Sequence, residues 1–267
     1  MTNTPSATVV AIVPARMAST RFPGKPMALI HGVPMVGHVY FRTRMAETVS
    51  ETYVATCDRE IFDYIRSVGG KAVMTADTHE RCTDRTAEAM LAIEKELGRR
   101  IDVVAMVQGD EPMVDPKAID LSVQAVLDDE ELQIACLMTP LADEKAFEDP
   151  NQVKVVTDLK GNALYFSREP IPSRKKGADA VPMYRQYPII PFRRDYLLRF
   201  NNLVPTPLEK IESVDLMRCL ESGDRVKMIA VEDSGLAVDT PEDLVAASEA
   251  MKADSLQQSY APSRGEQ

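Results

Sequence analysis

TVVAIVPARMASTRFPGKP (Thr8–Pro26) begins as a run of β-branched and small apolar residues and ends as a cationic loop. The apolar residues of Thr8–Val13 are continuous rather than alternating, which predicts a strand buried on both faces. The loop after it carries Arg16, Arg21 and Lys25 among small residues, one glycine and three prolines. Pro34–Ala46 then has apolar residues at helical spacing, with proline in the first helical position. A strand that runs through such a loop into a helix gathers backbone N–H groups and a helix amino end, which favour a phosphate. Arginine adds paired donors for phosphate oxygens, lysine a compact charge, and proline a preset loop shape. The alternative is a solvated basic loop. The pattern is neither GxxxxGK[ST] nor GxGxxG.

Working outward, the alternation continues. Thr52–Thr56 reads as a strand, Arg59–Val68 as a helix closed by Gly69 and Gly70, Lys71–Thr75 as a strand, Asp84–Leu97 as a helix and Asp102–Val107 as a strand. This predicts parallel strands joined by right-handed crossovers, with ligands at the strands' carboxyl ends. From about Ile134 the rhythm changes. ACLMTPL, QVKVVTD and NALYFS are strands separated by turn residues such as Asp158–Asn162, a hairpin signal. Ser173–Tyr184 is expected to be a mobile loop, Pro207–Ser222 a helix and Arg225–Val231 a strand. A last helix, Thr240–Met251, is capped by Thr240 with Pro241 in its first turn, and residues 255–267 are expected to fray. The fold class is α/β: a mostly parallel central sheet flanked by helices, with an antiparallel elaboration.

The 267 residues, 45% of them hydrophobic and 27% charged, suit one large domain. A formal net charge of −10 repels polyanions at long range, so nucleic acid is not an expected partner. The four cysteines lie far apart, with no CxxC pair and no histidine at ligand spacing, which argues against zinc and against a disulfide framework. No basic leader precedes an apolar run, and no apolar stretch approaches the ~20 residues that span a bilayer. A cytoplasmic protein with no membrane partner is expected.

Two acidic stretches complete the pattern. Gln108-Gly109-Asp110-Glu111-Pro112 follows a buried strand directly, and Ala237–Asp243 places Asp239 between a strand and a helix cap. Two carboxylates on separate strand ends can hold one Mg²⁺ while phosphates supply further oxygens. The plainer alternatives are a turn residue for Asp110 and a second capping group for Asp239.

Six stretches, VPARMASTRFPGKP, HERCTDRTAEA, VVAMVQGDEP, QVKVVTDLKGNALYFSREPIP, PTPLEKIE and AVDTPEDL, stand in a fixed order from Val9 to about Ala246. In order and spacing they resemble the 3-deoxy-manno-octulosonate cytidylyltransferases, or CMP-KDO synthetases. The resemblance implies a nucleotidyltransferase-type, Rossmann-like fold in a single domain over 1–267. Its nucleotide core covers about 8–133 and 208–250, and its acceptor and dimerisation elaboration about 134–207. It implies transfer of CMP from CTP to an acidic sugar with release of pyrophosphate, Mg²⁺ as cofactor and a homodimer. Carried over by position, Arg16, Lys25, Asp110 and Asp239 are catalytic, and Asp110 and Asp239 bind the metal. Pro14, Ala15, Arg16, Arg21, Lys25, Thr83, Arg85 and Asp110 contact the nucleotide. Gln108 and Arg168 lie near the acceptor, and Gln186, Ile190, Asp215 and Leu216 stand where the sugar's hydroxyls are read.

The chain departs from the family pattern at that last group. Arg81-Cys82 replaces a serine-glycine pair, Gln186–Arg193 (QYPIIPFR) replaces a motif like HIGIYAYR, and Asp215-Leu216 replaces Glu-Gln. Pro188, Ile190 and Leu216 thus stand where hydrogen-bonding groups are usual, at roughly 1–3 kcal/mol for each unmatched hydroxyl. Either the pocket is rearranged or the acceptor is a different 2-keto sugar acid or a phosphonate, for which Arg81 adds a cation. A CTP-binding paralogue that catalyses nothing is the reading from another class.

Overall fold

The computed structural model describes residues 7–18, 21–176, 181–232 and 235–260. The chain divides into two compact units, Met1–Asp120 with Gly235–Gln267, and Leu121–Ser234.

In the first unit, strands Val9–Pro14, Glu51–Thr56, Lys71–Met74 and Val103–Val107 alternate with helices Met35–Thr43, Arg59–Ser67 and Cys82–Leu97. Every pair is parallel, and the order across the sheet is Val103–Val107, Val9–Pro14, Glu51–Thr56, Lys71–Met74. The two strands at the start of that order are buried along their whole length, as their unbroken apolar runs require. Each of these elements lies within two residues of its sequence expectation, except that helix Met35–Thr43 ends three residues short of the expected Ala46. Helix Met35–Thr43 is buried on nearly every side, so His38 and Arg42 lie inside with Met35, Val36 and Val39. Helix Pro241–Met251 packs Ala247 and Met251 against Ile30, Met35 and Val238. It opens with a capping box in which Thr240 and Asp243 each satisfy the other's backbone N–H.

In the second unit the sheet runs Lys227–Ala230, Ala135–Pro140, Tyr184–Tyr187, Lys154–Thr157, Ala163–Ser167. The first pair is parallel and the rest antiparallel. The expected hairpin closes over Asp158–Asn162, where Asp158 Oδ1 accepts from the N–H groups of Lys160 and Asn162 and Gly161 takes φ 76°. Helices Glu144–Glu148 and Arg194–Asn201 and strand Ile189–Arg193 also belong to this unit, and the division between units falls within helix Pro116–Asp128.

Two expectations need correction. Pro207–Ser222 is not one helix: it breaks into Pro207–Glu212 and Met217–Glu221 at Ser213, which adopts φ 52°. The buried Glu209 carboxylate, paired with Arg218 at 2.6 Å, fixes the angle between the two pieces. Residues 255–260 do not fray, since Gln257–Ser259 form a 3₁₀ turn and Tyr260 stacks on Phe41 at 5.2 Å. Residues 261–267, and 177–180 of the expected mobile loop, lie outside the described residues. No helix among the described residues is long and apolar enough to cross a membrane.

Candidate functional site

Strand Val9–Pro14 has its chain successor on one side and Val103–Val107 on the other. The loops that leave their carboxyl ends therefore diverge in a crevice, the place where open α/β sheets bind ligands. Those loops are Ala15–Gly24 and Gln108–Pro112, the two stretches singled out from the sequence. Close approach depends on Gly109: a Cβ there would sit 3.0 Å from the Pro14 carbonyl oxygen and 3.6 Å from Ala15 Cβ.

The first loop is anchored by groups that sequence reasoning passed over. Met17 N donates to Asp58 Oδ2 at 2.7 Å, Ala15 N to the Ala55 carbonyl at 2.9 Å and Gly24 N back to the Met17 carbonyl at 3.1 Å. Gly24 has φ 74°, so the loop turns into the short Lys25–Met27 helix at a residue without a Cβ. Ser19 and Thr20 lie outside the described residues.

Lys25 is the centre of the site. Its ammonium donates to the Val238 carbonyl at 2.7 Å, Asp239 Oδ1 at 3.3 Å and Asp110 Oδ2 at 3.4 Å. The two carboxylates, 129 positions apart in the chain, thus share one cation. Arg21 Nη2 adds a second charge on Asp239 Oδ1 at 2.9 Å. Main-chain pairing of Val238 N with the Asp110 carbonyl, at 2.9 Å, holds the two segments side by side. Asp239 is therefore not spent on the helix cap, which Thr240 and Asp243 make between themselves. Asp110 Oδ1 is buried and has no hydrogen-bond partner, a costly state for a carboxylate oxygen and one that a bound cation relieves. Hard oxygen donors of this kind suit Mg²⁺, which takes few protein ligands. Among the described residues no cluster of three or more His, Cys, Asp or Glu could hold a metal, so the chain offers this pair and leaves the other positions to outside oxygens.

Beside the loop, Pro14, Ala15 and Arg16 line a small pocket with His79–Cys82 and Arg85. Arg16 Nη1 and Arg85 Nη2 both donate to the His79 carbonyl, at 3.3 and 3.5 Å. Arg85 also donates to the Ala76 carbonyl and to Thr75 Oγ1 and is 2% exposed, so it shapes the pocket wall. Thr83 is buried in the first turn of the Cys82–Leu97 helix.

The residues linked to the acceptor lie, apart from Gln108, in the second unit. The Arg168 guanidinium donates to the main-chain carbonyls of Pro150, Glu212 and Ser213 at 2.8, 2.8 and 3.3 Å. Its backbone N–H, Ser167 Oγ and Tyr165 OH all donate to the Glu212 carboxylate. Lys154 is fully buried next to it and donates to the carbonyls of Asp149 and Arg168; burial pulls its ammonium below the usual lysine range. Gln186 Nε2 points to Cys136 Sγ at 3.7 Å. Ile190 and Leu216 are 2% and 1% exposed, packed in the interior, while Asp215 is half-buried.

A cytidylyltransferase family model matches residues 10–229. The chain is 42% identical over 246 residues to a 3-deoxy-manno-octulosonate cytidylyltransferase of Geobacter metallireducens, covering 88% of this chain and 94% of the relative. To the enzyme of the same name from Solibacter usitatus it is 39% identical over 250 residues, 93% of this chain and 96% of that one. The fold is similar to a solved CMP:2-keto-3-deoxy-manno-octonic acid synthetase complexed with CTP, with a TM-score of 0.85, 35% identity, and coverage of 92% of this chain and 99% of that chain. A 4-diphosphocytidyl-2C-methyl-D-erythritol synthase from Anaerococcus prevotii, 15% identical with a TM-score of 0.62 over 92% of this chain and 97% of its own, shares the fold alone. With a family model over most of its length and relatives near 40% identity, the chain belongs to the 3-deoxy-manno-octulosonate cytidylyltransferase family.

Proposed function

We propose that the chain transfers CMP from CTP to 3-deoxy-manno-octulosonate or a close acidic relative, releasing pyrophosphate, with Mg²⁺ bound by Asp110 and Asp239. The observation that carries this reading is the meeting of those two carboxylates on Lys25, beside the backbone of the first loop. An acceptor oxygen forms a bond to the α-phosphorus of CTP, the bond to pyrophosphate breaks in line, and the acceptor's proton passes to solvent. No protein nucleophile is needed. Arg16, Arg21 and Lys25 neutralise the leaving phosphates, and donors held in place before the reaction are the largest source of rate in such chemistry. Backbone groups of Pro14 and Ala15 and the Thr83–Arg85 segment read the cytosine. Gln108 and Arg168 orient the acid: the Arg168 guanidinium is held by neutral carbonyls, which fix its direction and leave its charge for a carboxylate. Bound Mg²⁺ would supply charge neutralisation and lower the pKa of the attacking hydroxyl.

The proposal includes a single domain over residues 1–267, a homodimer and a cytoplasmic location. Its test is pyrophosphate release from CTP with a panel of acidic acceptors. Turnover of 3-deoxy-manno-octulosonate is expected, and Asp110→Asn and Asp239→Asn should each lose at least about two orders of magnitude in rate. Wild-type rates in either variant overturn the carboxylate assignment. CTP binding without pyrophosphate from any acceptor overturns the enzyme reading.

A further inference from the structure

The buried helix Met35–Thr43 carries a guanidinium that none of the proposed chemistry uses. Arg42 is 2% exposed. Its Nε donates to the Tyr260 hydroxyl at 3.1 Å and its Nη1 to the carbonyls of Met113 and Val114 at 3.4 and 3.3 Å, while Nη2 pairs with the Asp254 carboxylate. These acceptors come from two stretches. Met113 and Val114 closely follow Asp110 in the chain. Asp254 and Tyr260 follow the Pro241–Met251 helix, which begins just after Asp239.

The same two stretches meet again at their other ends, through the Val238–Asp110 main-chain bond and through Lys25. The contacts close a ring: Asp110, Val114, Arg42, Asp254, the helix, Asp239, Lys25 and back to Asp110. One arc is a rigid helix with a capped start, and its far end is pressed down by Tyr260, which stacks on Phe41 and donates to His38 Nδ1 at 3.0 Å. With the ring closed, neither carboxylate segment can slide along the other.

We propose that Arg42 and Asp254 are positioning residues that fix the separation of Asp110 and Asp239, so that the segment after the last helix belongs to the cation site's support. A buried ion pair is poor evidence for stability, because apolar residues of similar volume often hold elements together as well. What an arginine fork adds is direction: three hydrogen-bond acceptors and one ion-paired carboxylate, on two segments, are set by one planar group. The proposal rests on the reading of Asp110 and Asp239 as the cation's ligands, and its test separates the two.

Mn²⁺ binding in the presence of CTP, without acceptor, is read by water-proton relaxation in wild type, Asp254→Asn, Arg42→Met, the double variant and Asp110→Asn. Thermal unfolding confirms that each is folded. Asp254→Asn is expected to weaken Mn²⁺ about 3- to 30-fold, the range by which such remote contacts tune a site. In the Arg42→Met background the Asp254→Asn change should do nothing further. Wild-type Mn²⁺ affinity in folded Asp254→Asn overturns the positioning role. Wild-type affinity in Asp110→Asn overturns instead the ligand reading beneath it. Where Asp254→Asn does not fold, Tyr260→Phe decides: it keeps the ring on Phe41 and removes an acceptor of Arg42, so weaker Mn²⁺ is again expected and unchanged affinity overturns the proposal.

Discussion

At Lys25 three N–H donors meet three oxygens, two of them carboxylate. Lys25→Met leaves Asp110 and Asp239 facing each other without that charge and removes a cation from the phosphates. Pyrophosphate release should fall at least about 100-fold. Lys25→Arg should not restore it, because a planar fork cannot serve three oxygens arranged around a point charge. Gly109 acts through space rather than charge. In Gly109→Ala the new Cβ meets the Pro14 carbonyl at 3.0 Å, so the two loops must part by tenths of an ångström. Steady-state kinetics should show roughly a tenfold loss in kcat/KM for CTP, with an unchanged unfolding midpoint. Asp110 was legible in the sequence because it follows a strand whose apolar run announces its end. Asp239 was legible only from the helix cap beside it, and the strand expected directly before it is absent, since residues 235–239 are irregular. Asp58, which anchors Met17, was not, since one acidic residue between a strand and a helix looks like any cap.

Among the elements, helix Met35–Thr43 has a pH signature. His38 is fully buried, its Nε2 donates to the Ile30 carbonyl and its Nδ1 accepts from Tyr260. Burial, with Arg42 and His31 nearby, brings its pKa from the ordinary 6.5 to about 4. The folded value lies below the unfolded one, so the unfolded chain takes up this proton first. The group's contribution is intact above about pH 6.5 and drains away as pH falls toward 4, by roughly 3 kcal/mol. Unfolding midpoints between pH 7 and pH 4.5 should fall less steeply in His38→Gln. At the other helix, Thr240→Ala breaks the capping box and should cost about 1 kcal/mol in denaturant unfolding. The strands Val9–Pro14, Glu51–Thr56 and Val103–Val107 were readable because burial on both faces makes their apolar runs nearly continuous. The break at Ser213 was not, since it follows from Glu209 reaching Arg218 and Glu212 reaching Tyr165, Ser167 and Arg168. Residues 255–260 are polar enough to suggest an unpinned end, and their partners His31, His38 and Arg42 lie more than 200 positions away.

For the molecule as a whole, the proposed function sets a cationic loop against a tetra-anionic nucleotide on a chain of net charge −10. The attraction is local, and salt screens it within about 10 Å at 0.1 M. Raising NaCl from about 50 to 500 mM should raise the KM for CTP several-fold while kcat moves little. Light scattering should return twice the chain mass, as the proposed homodimer requires; a monomer at micromolar concentration overturns that part. Lys25 has a last consequence. Because the protein carries its own counterion, the paired acids are never bare when magnesium is scarce. Starvation for divalent ions should then idle the enzyme without endangering its integrity: a chelator should stop turnover and leave the melting curve of the free protein in place. Returning the ion should restore full rate with no refolding lag.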